Sequence, residues 1–203
     1  MKQLLFLAGI ILLASFSAPV DTLSKKERKF AASHLKSTKN DLIKSVKGMT
    51  DAQLNFKPSA DKWSVKECVF HLALSENNLW QWTEGTLKAP ANPEKRAEIK
   101  MTDEQVLAGV SSREHKIKTS ETFEPKNAKW ATVDEALGSL KEGREKLIDY
   151  MKNTTEDMRN HVATETPMGA LDAYQLVLLL SAHTTRHMQQ INELKGHPDF
   201  PKN

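Results

Sequence analysis

The segment 171–195 constrains the fold most, because its apolar residues recur at helical spacing and two histidines stand inside the apolar stripe. Leu176, Leu180, His183, His187, Ile191 and Leu194 follow one face, the pattern of an amphipathic helix packed on a core. A spacing of four residues puts the His183 and His187 imidazoles on that face one turn apart, where they can share a metal ion. A buried imidazole needs a partner, and a metal, a carboxylate or a backbone carbonyl would each serve.

The same periodicity runs through most of the chain, and glycine and proline, eight of each, fall mainly between the periodic stretches. An all-α domain with four long helices follows. The first spans 24–47, with Phe30, Leu35, Leu42, Ile43 and Val46 facing inward, and Gly48 ends it. Thr50-Asp51-Ala52-Gln53 then has the form of a capping box. Ser64, with Glu67 three residues on, opens the second helix, which continues to Gly85. Proline-rich 89–93 breaks the pattern, and polar 94–119 reads as an excursion over the surface or over the mouth of a site, with one irregular helix from Thr102. A loop at 125–130 precedes the third helix, 132–153. A loop at 164–169 precedes the fourth, which Gly196 and Pro198 stop.

Met1-Lys2-Gln3 and the apolar run from Leu4 to Ala14 have the form of a secretory signal peptide, with cleavage expected after Ser17. The expected domains are therefore a signal peptide at 1–17 and one helical domain at 18–203. This predicts export to the periplasm or beyond, with no stable membrane anchor after cleavage. The chain carries 29 Lys and Arg against 26 Asp and Glu, interspersed, for a net charge of +3. That pattern provides no patch for nucleic acid. Cys68, the one cysteine, sits among Val65, Val69 and Leu72 and reads as a small buried apolar residue.

Two histidines make a weak divalent site, so a third ligand is needed from another helix. His71, at the edge of the inward stripe of the second helix, is the best candidate. His34, His115, His161 and His197 lie in more polar or loop surroundings. Three imidazoles would leave coordination positions open, as catalytic sites require. Imidazole does not choose among zinc, nickel, iron and copper, and satisfied core histidines remain the alternative reading. Glu76 is a candidate base or supporting carboxylate, although a solvated helix carboxylate is the plainer reading. Arg186 is a candidate for binding an anionic substrate or for an ion pair with a neighbouring helix. Gln190, one turn after His187, is a candidate for orienting that imidazole or a water. Trp63, Trp80 and Trp82 can line a pocket or the core.

Two separated motifs resemble those of DinB-like proteins. The first runs through Leu54-Asn55-Phe56-Lys57-Pro58, Lys62-Trp63-Ser64-Val65-Lys66-Glu67, His71-Leu72-Ala73 and Glu76. The second is Met168-Gly169-Ala170-Leu171, followed by His183, Arg186, His187 and Gln190-Ile191. The resemblance implies a four-helix bundle, commonly dimeric, in which His71, His183 and His187 bind a divalent metal such as zinc, nickel or iron. The wider superfamily includes transferases that use cytoplasmic thiols, and export argues against that chemistry here. The expectation is an exported, hydrolase-like metal-dependent enzyme acting on a small molecule. A non-catalytic metal-binding or structural module is the alternative, and a thiol-dependent S-transferase the third reading.

Overall fold

The computed structural model describes residues 22–114 and 117–202, so the expected signal peptide and His115 lie outside the described residues. Its helices are α1 (Lys25–Val46), α2 (Asp51–Asn55), α3 (Val65–Lys88), α4 (Asp103–Ser111), α5 (Val133–Asn153) and α6 (Ala173–Lys195). Each begins at a residue whose side-chain oxygen accepts the backbone N–H three residues on: Ser24, Thr50, Ser64, Thr102, Thr132 and Asp172. Such caps each contribute about 1 kcal/mol. Gly48, at φ +75°, turns the chain out of α1 as a glycine after a helix can.

The predicted boundaries need small corrections. The turn at Thr50 is a five-residue helix, and the second long helix continues past Gly85 to Lys88. β1 (Val162–Ala163) pairs antiparallel with β2 (Leu171–Asp172) just before α6. Strands this short show no alternation to read. Phe30, expected to face inward, is 45% exposed and lies against the His34 ring instead.

Helices α1, α3, α5 and α6 form a four-helix bundle in which α1 and α3 each pack against both α5 and α6. Sequence neighbours therefore stand diagonally. Helices α1 and α6 run parallel: Tyr174 Oη donates to the Glu27 carbonyl at one end, and Lys195 Nζ to the Ser45 carbonyl at the other. The starts of α3 and α5 pack together with the ends of α1 and α6, so α3 and α5 also run parallel. Parallel neighbours cannot be joined by a tight turn, and the chain must return along the bundle. The segment 89–132 makes that return and carries α4, which packs on α6.

The bundle interior is two apolar clusters with a polar layer between them. One contains Leu35, Leu147, Met151, Tyr174 and Leu178, the other Leu42, Val69, Leu72, Leu140 and Ile191. Thr38 of α1, Glu76 of α3, Arg144 of α5 and Ser181 and Thr184 of α6 are buried between them. A second polar node fastens the end of the bundle at which α1 and α6 begin. Arg159 donates to Glu27, Asp103 and Asp172, at the starts of α1, α4 and α6, and stacks over the Tyr174 ring, 4.2 Å from its centroid.

Candidate metal centre

The neighbouring helices α3 and α6 bring His71, His183 and His187 together. His183 Nε2 lies 3.1 Å from Nε2 of His71 and 3.1 Å from Nε2 of His187. His71 and His187 are buried and His183 is half-buried. Two ligands at about 2.1 Å from one ion, at right angles, stand about 3.0 Å apart. The observed spacing fits ligands to a single ion as well as N–H···N hydrogen bonds between the rings, and the three residues could hold one ion.

The outward nitrogens explain why the inward ones are free to coordinate. His71 Nδ1 lies 2.7 Å from the carbonyl of Phe123, in the returning crossover segment 89–132. A carbonyl only accepts, so Nδ1 carries the proton and the neutral ring presents a bare Nε2. His187 Nδ1 likewise donates to Gln190 Oε1 at 3.0 Å. Burial, reinforced by the His71 imidazole and then by the Arg186 and Arg144 charges, pushes His183 down to about 3. Burial also holds His71 below the usual histidine value and His187 well below it. All three are neutral at pH 7, as coordination requires. Among the described residues the triad otherwise bonds only to Ser75, whose Oγ lies 3.5 Å from His71 Nε2. A tilted Trp63 ring covers His71 at 4.8 Å, and the same ring stacks on His187 at 5.9 Å.

The other predicted residues have different fates. Glu76 is not a solvated carboxylate: it is 4% exposed and engaged with Arg144. Arg186 is buried, and burial first and the Arg113 charge second hold its pKa below the usual arginine value, against the pull of Glu193. Gln190 orients His187, as its spacing allowed. Trp80 and Trp82 line two surface cavities of about 600 and 590 Å³, neither bordered by the triad. His34 meets Ser181, His161 the Thr86 carbonyl, and His197 the Phe56 ring. Phe123 was not foreseen, since it acts through a carbonyl that any residue offers. Arg144 was missed despite a visible signal, a charge on the α5 apolar stripe of Ala136, Leu140, Leu147 and Met151.

Comparisons with known proteins agree with this architecture. Residues 34–191 match the model of the DinB superfamily. An uncharacterized protein of Bacillus subtilis, YuaE, is 26% identical over 150 residues, covering 74% of this chain and 88% of that protein. The solved structure of YfiT from Bacillus subtilis, described as a probable metal-dependent hydrolase with an unusual four-helix bundle topology, superposes with a TM-score of 0.59. It is 20% identical, and the match covers 88% of this chain and 91% of that one. The match spans both halves of the bundle and all three histidines, and the chain belongs to the DinB superfamily.

Proposed function

We propose that this chain is a metal-dependent enzyme of the hydrolase type, holding a divalent ion on His71, His183 and His187 and acting on a small molecule. The convergence of three Nε2 atoms, two of them bared by acceptors fixed on the opposite nitrogens, carries this reading. A divalent ion bound there would supply Lewis acidity toward a carbonyl or phosphoryl oxygen and would acidify water. The protein's share is to keep three imidazoles neutral and oriented, with Trp63 shielding one side. The Ser75 hydroxyl stands beside the coordinating face, where it can hold a water or a substrate oxygen.

A structural role for the ion is disfavoured by the polar layer beneath it, which already ties all four long helices together. We also propose export, with the mature domain starting after Ser17, as the basic start and apolar run of the N-terminus suggest. Export favours hydrolysis over use of a cytoplasmic thiol.

The test is metal content and turnover of the purified protein beside its His71→Ala and His187→Ala variants. The wild type should carry about one equivalent of divalent metal, and the variants little. A chelator should stop hydrolysis of a panel of esters, lactones and amides, and added zinc, nickel or iron should restore it. Equal metal content in all three proteins would overturn the site. Metal binding without turnover on any of the panel would count against the enzyme and for a binding module.

A further inference from the structure

We infer that Arg113, in the crossover, sets which nitrogen of His187 carries the proton by holding the Gln190 amide in one of its two orientations. A glutamine amide has an accepting end and a donating end of nearly the same shape. With its NH₂ toward His187, Nδ1 would have to accept. The single proton of the neutral ring would then move to Nε2, the atom that faces His183 at 3.1 Å. Such a ring could not coordinate through Nε2 without losing that proton.

Nothing in the His187–Gln190 pair alone forbids this flipped arrangement, because an imidazole nitrogen can donate or accept. Arg113 removes the ambiguity. Its Nη1 lies 3.4 Å from the same Gln190 Oε1 that receives His187 Nδ1 at 3.0 Å. A guanidinium only donates, so it pairs with the oxygen end of the amide and repels the NH₂ end. At 3.4 Å this contact is long, and its effect is on direction more than on strength. The guanidinium is itself held by a fork on Glu193, with Nε to Oε1 at 3.2 Å and Nη2 to Oε2 at 2.9 Å. His187, Gln190 and Glu193 succeed one another every three residues on α6, and Arg113 reaches that face from the segment after α4. Arg113 is thus a positioning residue, acting on the candidate centre through Gln190. Its consequence for metal affinity rests on the metal-site reading above, whereas its effect on the imidazole does not.

The experiment reads the His187 tautomer by ¹⁵N NMR in metal-free protein and, separately, zinc affinity by chelator competition. The wild type should show one tautomer, protonated at Nδ1. Arg113→Met should show a mixture and bind zinc about 10-fold more weakly, at the low end of the range for residues supporting a ligand. Gln190→Glu presents an acceptor at both ends, so adding Arg113→Met to it should leave the tautomer unchanged. Arg113→Lys, which also only donates, should restore much of the wild-type behaviour. A single Nδ1-protonated tautomer in a folded Arg113→Met protein would overturn the inference. So would a shift of equal size in the Gln190→Glu background. If the tautomer responds as expected while the wild type binds no zinc, the metal-site reading fails and the role of Arg113 stands.

Discussion

Arg144 lies fork to fork on Glu76, with Nε to Oε1 and Nη2 to Oε2 both at 2.6 Å, in the middle of the bundle. Its remaining N–H groups go to the Leu35 carbonyl, Thr38 Oγ1 and Thr184 Oγ1, so every guanidinium donor has an acceptor. Removing one partner leaves the other charged, buried and unpaired. Arg144→Met should cost about 3–5 kcal/mol of unfolding free energy in urea titrations. The double variant Glu76→Leu with Arg144→Met should recover most of that loss, because no charge is then stranded.

Arg159 gathers the starts of three helices, and Asp172, with a side chain only 3% exposed, depends on it most. Arg159→Met should destabilise the protein by about 2–3 kcal/mol, between the values for exposed and buried pairs. Burial raises the Asp172 pKa and Arg159 lowers it, so removing Arg159 raises it further. A carboxyl with a raised folded-state pKa binds its proton more tightly folded than unfolded, and acid then favours the folded state. The stability gap between variant and wild type should therefore narrow as pH falls through the acid range.

The triad gives the metal-free protein an acid sensitivity of its own. His71, His183 and His187 all titrate below the ordinary value near 6.5, His183 at about 3. Between those limits the unfolded chain binds more protons than the folded one, so each step down in pH favours unfolding. Unfolding of metal-stripped protein should show stability that is flat above about pH 7 and falls steadily below about 6.5. Alanine at His183 should flatten that slope.

Cys68 is fully buried, and burial pushes its thiol up to about 12. Thiolate is the reactive form. The native protein should leave a thiol reagent such as a disulfide dye unreacted at pH 8, and one equivalent should react once urea unfolds the chain.

The long helices and their starts were legible because their signals are local. A cap and its partner lie three residues apart, and the apolar stripe of α6 repeats within one helix. His183 and His187 were visible for the same reason, and His71 followed from its position on a second stripe. Glu76 was misread because its partner, Arg144, lies 68 residues away. A charge on an apolar stripe signals a buried ion pair only when a second such stripe carries the opposite charge. The diagonal placement of α1 and α3 leaves no local trace at all. The Phe123 carbonyl is equally silent, since its identity is that of the backbone.

The return path from α3 to α5 is longer than geometry demands. A 24-residue helix is about 36 Å long, and a taut chain would cover that with about eleven residues. Most of 89–132 is therefore construction rather than connection. It lays α4 along α6 and brings one carbonyl and one guanidinium to the outer edges of His71 and of the Gln190–His187 pair. A deletion that straightened this path would leave a frame able to close, with its imidazoles free to turn away from one another.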